Sequence, residues 1–326
     1  MRVVTFVAFV LLSGMLANVE SAEAPKEETM AFSTNHVGEA GIWLMDPDGG
    51  NQRPFLAIGG NPIPLGLVWS SDGTKIAFHT EINKNIDIYV VDADGQNLRQ
   101  LTDHEAEDSW PTWHPAGQKL AFCTNRDGNF EIYSVTLIGQ ALNNLTNDAV
   151  KDREPAWSPD GRQIAFASKR GKSLGDIWVM DNSGGNLKNL TDVRGQDTEP
   201  RWSWNGQKIG WTSRRNGNDE IWIMDSADGG NLLQISDVKN NSDPNREPTW
   251  KPDGKKIASP ALGGGSATIR VHPTDGSLKW NNLQRVGTQN RSPAWFDPDF
   301  VEEFAVFPAD KKALTWGWLK QAGREN

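Results

Sequence analysis

The chain has 326 residues, a formal net charge of -9 and a single cysteine, Cys123. This length is enough for one large or two ordinary domains with a real core, and the acidic balance argues against nucleic-acid binding. One cysteine cannot form a disulfide within the chain. Its neighbours in "KLAFCTN" indicate a buried small side chain rather than a reactive thiol.

The amino-terminal 21 residues have the features of a secretory signal peptide. Arg2 supplies the positive charge, and the apolar run Val3–Leu12 is too short to span a bilayer with its flanks. Small residues precede Ala22, which fits cleavage at that point, and an uncleaved membrane anchor is the alternative. We expect residues 1–21 to be removed and residues 22–29 to form a short linker. The mature protein is then periplasmic or secreted, without stable membrane insertion.

Beyond this amino end the chain is built from a repeat. A tryptophan stands just before a turn at six places, and successive anchors are 44 to 48 residues apart. The anchors are Trp69, Trp113, Trp157, Trp202, Trp250 and Trp295. Self-similarity at a fixed period of this length predicts a repeat architecture, in which neighbouring units bury each other's surfaces.

Each repeat unit predicts four short strands in the same order. The copy at residues 154–191 reads "EPAWS", a Pro-Asp-Gly turn, "QIAF", "IWVMD", a second turn and "LKNLT". The runs are rich in β-branched and aromatic residues and are bounded by turn residues, which is typical of strands. One small twisted sheet cannot cover both of its faces. The units are therefore expected to stack as blades of a β-propeller, with Trp rings in the wedges between them.

The two ends of the repeat region predict the number of blades. Residues 30–56 match the second, third and fourth strands of a unit, whereas "SPAWF" around Trp295 is a first strand without the other three. Joining them gives an all-β, six-bladed propeller over residues 30–298, whose closing blade has one carboxyl-side and three amino-side strands. Residues 299–326 form a carboxyl-terminal extension. Within it, "KKALTWGWLKQ" predicts either a short amphipathic helix capping one face or an added edge strand.

The repeated pattern W-S-P-D-G, I-A-F, S-x-R-x-G, I-Y/W-V-M-D, D-G, L-T resembles the TolB-type propeller repeat, a WD40-like β-propeller repeat. The resemblance covers roughly residues 30 to 298. It implies a secreted or periplasmic propeller that acts as a binding platform. TolB itself carries an α/β domain before its propeller, and we expect this chain to be a stand-alone propeller without that domain.

The loops that join the fourth strand of one unit to the first strand of the next should gather around one opening of the propeller axis. Four of them hold 13 acidic and five basic side chains. These loops are residues 102–111, 146–155, 191–200 and 237–248. The negative electrostatic potential of such a loop surface favours binding of a basic partner and speeds its approach. A solvated polar rim without any partner is the alternative.

These loops supply the candidate binding residues, which are chosen by position and charge rather than by a motif. The candidates are His104, Glu105, Asp108, Asp152, Arg153, Asp197, Glu199, Arg246 and Glu247. We expect them to bind a protein or peptide of basic character, and we expect the protein to be a monomer without catalytic residues, metal or cofactor. The alternative function is a metal-dependent carbohydrate-active enzyme, a lyase or glycosidase with an axial site.

Two other recurring patterns receive a structural interpretation. Arg126, Arg170 and Arg215 each precede an acid of the third strand, and repetition in successive units indicates loop bracing by Arg–carboxylate hydrogen bonds rather than catalysis. The Asp-x-Asp-Gly turns at residues 46–49 and 92–95 lack the further ligands of a calcium loop, and hairpin turns explain them adequately.

Overall fold

The computed structural model describes most of the repeat region. It covers residues 23–35, 40–59, 63–138, 141–171, 174–192, 195–237, 244–263, 266–283 and 290–300. The predicted signal peptide, and the helix or strand predicted within the carboxyl-terminal extension, therefore lie outside the described residues. Across the residues that are described, no helix has the length and hydropathy that a membrane span requires.

Within the described ranges, 24 strands form six antiparallel sheets of four strands each, which are the six blades. Blade 1 holds β4 (Leu65–Trp69), β5 (Lys75–Ile82), β6 (Asn85–Asp92) and β7 (Arg99–Gln100). Blade 2 holds β8 (Asp108–Trp113), β9 (Lys119–Thr124), β10 (Glu131–Thr136) and β11 (Leu142–Asn144). Blade 3 holds β12 (Asp152–Trp157), β13 (Gln163–Ser168), β14 (Asp176–Asp181) and β15 (Lys188–Asn189).

The remaining three blades follow the same plan. Blade 4 holds β16 (Asp197–Trp202), β17 (Lys208–Ser213), β18 (Glu220–Asp225) and β19 (Leu233–Gln234). Blade 5 holds β20 (Thr249–Trp250), β21 (Lys256–Gly263), β22 (Ser266–Pro273) and β23 (Asn281–Asn282). Blade 6 holds β24 (Asn290–Phe296), β1 (Thr29–Thr34), β2 (Gly41–Met45) and β3 (Arg53–Ala57), and a 3-10 turn (Pro298–Phe300) follows β24.

The central strands are buried on both faces because each blade is covered by two neighbours. In β13, Ile164 and Phe166 pack in one hydrophobic cluster with blade 2, whereas Ala165 and Ala167 pack in another with blade 4. Alternate side chains of a strand point to opposite faces. The apolar run "QIAF" is therefore what a strand between two neighbouring blades requires.

The two ends of the described chain meet in blade 6. Strand β24 pairs antiparallel with β1, and Met30 lies opposite Trp295 in the register. The order β24-β1-β2-β3 gives this blade one carboxyl-side and three amino-side strands. Pairing of the two ends places β1 in the interior of the sheet, so that β1 is not a bare sheet edge at the seam of the ring.

Cys123 lies in the interior of this arrangement. Its side chain on β9 is fully buried, and burial raises the pKa of the thiol to about 11. The prediction of a buried side chain is confirmed, and the raised pKa disfavours the thiolate, which is the reactive form of cysteine.

Candidate functional site

The innermost strand of each blade runs along the propeller axis and defines two faces. The loop face holds the connections that enter the innermost strands, which include the described parts of residues 102–107, 146–151 and 190–196. The turn face holds the tight turns that follow the Trp anchors, such as residues 70–73 and 158–161. Because all six innermost strands run in the same direction, equivalent residues form rings around the axis.

One such ring consists of residues in the left-handed backbone region, with φ between +45° and +62°. This axial ring is formed by Gly66, Trp110, Glu154, Glu199, Glu247 and Ser292. Five of the six precede a proline, and a break in strand register accompanies the positive φ in five blades. A positive φ is costly for residues with a side chain and needs compensation by the surroundings.

Hydrogen bonds between neighbouring blades supply that compensation. The N–H of Glu199 donates to Glu154 Oε2 at 2.7 Å, and the N–H of Glu247 donates to Glu199 Oε2 at 2.7 Å. The Ser292 hydroxyl donates to Glu247 Oε2, and the N–H of Gly66 donates to Ser292 Oγ at 3.0 Å. The axial ring therefore links blades 3, 4, 5, 6 and 1 in one continuous chain of hydrogen bonds.

Blade 1 departs from this pattern because Gly66 has no side chain that could accept a hydrogen bond from the ring residue of blade 2. The N–H of Trp110 instead donates to Nδ1 of His79 at 3.3 Å, and a Cβ on Gly66 would lie 2.9 Å from that nitrogen. Burial lowers the pKa of His79 to about 3, so the imidazole is neutral and Nδ1 can accept. His79 therefore occupies the space that a side chain at position 66 would need.

Both negatively and positively charged groups act on the glutamates of the axial ring. Burial, reinforced by the negative charge of Glu199, raises the pKa values of Glu154 and Glu247 to about 7. The charge of Arg201, two residues beyond Glu199, acts in the opposite direction on both carboxyls. Arg201 Nη1 donates to the carbonyl oxygen of Pro200 at 2.8 Å.

A cavity of about 180 Å³ occupies the axis between the axial ring and the turn face. Trp110, Arg201 and Glu247 line its inner end, and all six Trp anchors line its wall. Pro115 and Pro159 of the turns also contribute to the lining. The propeller thus presents a tryptophan-rich, mainly apolar axial cavity, whose charged lining residues, Arg201 and Glu247, lie at the axial ring.

Three of the nine sequence-predicted binding residues are structural. Asp108, Asp152 and Asp197 are at most 1% exposed. Each of these aspartates forms an ion pair with an arginine from the loop between the second and third strands of its blade. Arg126 pairs with Asp108, Arg170 with Asp152 and Arg215 with Asp197. Buried charges are held in this way by paired, hydrogen-bonded partners.

This pairing corrects the expected partners of the bracing arginines. The arginines brace their loops, but they bind the first residue of the innermost strand rather than the acid of the third strand. Arg126 Nη2 lies 3.0 Å from both oxygens of Asp108, while Glu131 accepts hydrogen bonds from the Asn144 side chain and the Asp148 N–H. The reason is topological: the innermost strand pairs directly with the strand that leads into the arginine's loop.

The other six predicted residues fall into three pairs. Glu199 and Glu247 belong to the axial ring, whereas His104 and Glu105 are exposed on the loop face. Arg153 and Arg246 lie beside the axial ring and have carboxylate partners of their own, Glu107 and Asp219 respectively. The structure thus brings together the axial members and leaves His104 and Glu105 at the periphery.

Sequence reasoning missed Glu154, the third glutamate of the axial ring. A signal for it exists in the repeat, because the dipeptide Glu-Pro occurs at the same position in three units, at Glu154, Glu199 and Glu247. When a charged residue precedes proline at the same position of several innermost strands, it indicates that these strands share a backbone conformation, rather than that each residue is an independent surface charge.

The exposed charges of the loop face lie further from the axis. Among its described residues, the exposed carboxylates are Glu81, Asp103, Glu105, Asp127, Asp148, Asp192 and Asp237, and the exposed cations are Lys84, Lys151, Lys169 and Arg214. Carboxylates therefore predominate on this face. Over the described ranges, no group of three or more His, Cys, Asp or Glu side chains is placed to hold a metal ion.

Comparison with known proteins gives consistent matches. The family described as "TolB beta propeller domain" matches residues 61–170 and 152–301. The Tol-Pal system protein TolB of Anaeromyxobacter dehalogenans (strain 2CP-1 / ATCC BAA-258) is 31% identical over 104 residues, which are 32% of this chain and 23% of that protein. The chain therefore spans about a quarter of the length of the curated relatives that it matches.

Solved structures show the same architecture. TolB from Acinetobacter baumannii superposes with a TM-score of 0.71 at 26% identity, covering 82% of this chain and 66% of that one. A chain of a nidogen–laminin complex superposes with a TM-score of 0.65 at 11% identity, covering 82% of this chain and 98% of that one. The second similarity concerns the fold alone.

Proposed function

Because this chain belongs to the TolB β-propeller family, we propose that it is a non-catalytic scaffold that binds a protein or peptide of basic character through its loop face. We place it in the periplasm or outside the cell, in keeping with the signal-like amino end. Propellers host many unrelated activities, so the proposal rests on the surface of this chain and not on the fold.

The observation that carries the proposal is the excess of exposed carboxylates on the loop face. The buried Asp108, Asp152 and Asp197 are neutralised by arginines, so they do not contribute to recognition. Most of the exposed carboxylates that remain, such as Asp103, Glu105 and Asp192, can attract a cationic partner over distances of about 10 Å at ordinary ionic strength, whereas Asp148 already pairs with Arg170. Loops held on a rigid scaffold are also the usual location of binding residues.

The test is neutralisation of exposed carboxylates on one face at a time. A loop-face variant carries Asp103→Asn, Glu105→Gln and Asp192→Asn. The matched turn-face control carries Asp94→Asn, Asp228→Asn and Asp253→Asn, where each aspartate accepts a backbone N–H of its own turn that asparagine can also accept. Both variants lose three negative charges.

The wild-type protein is immobilised to recover and identify partners from envelope and culture extracts, and the affinity of each variant for the partner is then measured from low to high salt. We expect the loop-face variant to bind about tenfold more weakly at low salt and to show a flatter salt dependence. The turn-face control should bind as the wild type does. Equal binding by the two variants would contradict the proposal.

A further inference from the structure

The axial cavity combines a tryptophan wall with an arginine at its inner end. All six blades contribute to the lining, and each provides its Trp anchor. Residues of the tight turns, among them Ser71, Pro115 and Trp204, line the other end of the cavity, which therefore lies at the turn face. A ligand that enters from the turn face would reach the arginine last.

The Trp anchors present apolar surface to the cavity and no hydrogen-bond donor. Four of their indole N–H groups donate to backbone carbonyl oxygens at 3.0 to 3.2 Å, and these belong to Trp69, Trp113, Trp202 and Trp250. The indole nitrogens of Trp157 and Trp295 are buried away from the cavity surface. Polar recognition of a ligand must therefore come mainly from the inner end.

Arg201 has hydrogen-bond donors to spare at that inner end. Its Nη1 donates to the carbonyl oxygen of Pro200 at 2.8 Å, and among the described residues no carboxylate lies close enough to form an ion pair with it. The glutamates of the axial ring act on its charge at longer range. A guanidinium carries five N–H donors in a rigid fork, so this one bond leaves most of them available to an anion.

Glu247, the other charged lining residue, is less suited to recognising a ligand. Its Oε2 already accepts the Ser292 hydroxyl, and burial raises the pKa of its carboxyl to about 7. Arg201, in contrast, keeps its charge at every ordinary pH. The two other glutamates of the axial ring, Glu154 and Glu199, are not among the lining residues. The inner end therefore favours an anion over a cation.

The volume of the cavity limits the size of the ligand. An apolar protein cavity of about 150 Å³ can hold one benzene molecule. The axial cavity, at about 180 Å³, has room for one aromatic ring with a short acidic substituent. An aromatic ring suits indole walls because aromatic pairs attract each other beyond simple burial, and a carboxylate matches the planar fork of a guanidinium.

We propose that the axial cavity is a binding site for a small aromatic carboxylic acid, whose carboxylate pairs with Arg201 and whose ring lies among the Trp anchors. This site is reached from the turn face, so the inference is independent of the partner binding proposed for the loop face.

The first test uses the wild-type protein and four probes. Phenylacetate has both the ring and the carboxylate, phenylacetamide is its neutral amide, phenylethylamine carries a positive charge, and acetate lacks the ring. Titration calorimetry measures the Kd of each probe. We expect phenylacetate to bind with a Kd of about 1 mM or lower, and at least roughly tenfold more tightly than each of the other three. A smaller preference, or no binding of phenylacetate, would overturn the proposal.

The second test asks whether Arg201 holds the carboxylate. Arg201→Met removes the guanidinium, whereas the control Arg162→Met removes one positive charge from an exposed turn-face residue that does not line the cavity. We expect Arg201→Met to bind phenylacetate at least roughly tenfold more weakly and no better than it binds phenylacetamide. The control should bind as the wild type does. Equal affinities of the two variants for phenylacetate would overturn the proposal.

A third measurement locates the ligand without any substitution in the cavity. The assigned indole N–H resonances of protein that carries isotope-labelled tryptophan are followed by nuclear magnetic resonance during titration with phenylacetate. The Trp anchors should shift, whereas Trp222 and Trp280, which do not line the cavity, should not. Shifts of Trp222 and Trp280 as large as those of the anchors would overturn the proposal even if Arg201→Met fails to fold.

Discussion

The indole N–H of Trp202 donates a hydrogen bond of 3.1 Å to the carbonyl oxygen of Ala156 in the preceding blade. The equivalent nitrogen of Trp157 is buried and, among the described residues, has no hydrogen-bond partner. The two tryptophans otherwise occupy the same position in the repeat, and both are at least nine-tenths buried. They therefore allow the inter-blade bond to be separated from the packing of the ring.

We predict that Trp202→Phe destabilises the protein by about 1 kcal/mol more than Trp157→Phe. Both changes remove similar aromatic area, but only the first leaves the Ala156 carbonyl oxygen without its donor. Urea unfolding followed by circular dichroism measures the two free energies of unfolding. Equal losses would show that the indole bond contributes nothing beyond packing.

A methyl group at position 66 should be poorly tolerated. The φ of Gly66 is +62°, and its added Cβ would lie 2.9 Å from His79 Nδ1. Gly117 has a similar φ of +71°, but an added Cβ there has no heavy atom within 4 Å. We expect Gly66→Ala to cost roughly 2–3 kcal/mol and Gly117→Ala about 1 kcal/mol. The two substitutions are compared by the loss of unfolding free energy that each one causes. The extra loss in Gly66→Ala measures the clash with His79, and equal losses would contradict the existence of that clash.

Removal of one bracing arginine should be costly in a pH-dependent way. Arg170 is the ion-pair partner of the buried Asp152, and burial raises the pKa of that carboxyl to about 6 even in the presence of Arg170. Arg170→Met leaves an uncompensated buried charge, which costs about 3 kcal/mol at pH 8. The charge and hydrogen bond of Arg170 lower the pKa of Asp152, so their loss raises that pKa further, and protonation of the carboxyl relieves the cost as the pH falls towards 6.

The melting temperatures of Arg170→Met and Arg170→Met/Asp152→Asn at pH 8 and pH 5.5 check this prediction. The added Asp152→Asn change should restore part of the lost stability at pH 8 and little at pH 5.5. If the second substitution lowers stability further at pH 8, the arginine does not act by neutralising Asp152.

The sequence was sufficient to predict the fold because its two signals are local and repeated. A Trp before a Pro-Asp-Gly turn marks the end of an innermost strand, and runs such as "QIAF" mark strands covered on both faces. The incomplete units at residues 30–56 and around Trp295 predict a shared closing blade, and Met30 pairs with Trp295 in that blade.

The candidate site was less predictable because it depends on contacts between blades and between distant strand ends. Loop position alone placed Asp152 on the binding surface, whereas antiparallel pairing of β12 with β13 brings Arg170 back over it. Charge alone likewise did not distinguish Glu199, whose carboxylate turns inward to accept the N–H of the next blade, from the exposed Glu105. The inward direction of the Glu199 side chain accompanies the positive φ of that residue, which cannot be read from composition.

Closure of the ring by the two ends of the chain is the claim on which the axial ring, the cavity and the loop face all depend. Ala31 and Ala294 lie directly opposite each other across β1 and β24, and both are buried. The most direct measurement is disulfide formation in Ala31→Cys/Ala294→Cys, made with Cys123→Ala to remove the native thiol. The control replaces Ala294→Cys with Ala165→Cys, at a buried position in blade 3.

We expect oxidation to link the first pair within one chain, with faster migration on a non-reducing gel and a higher melting temperature than the reduced form. The control pair should stay reduced. A folded protein in which residues 31 and 294 fail to cross-link, or cross-link no better than residues 31 and 165, would contradict the closed six-bladed ring.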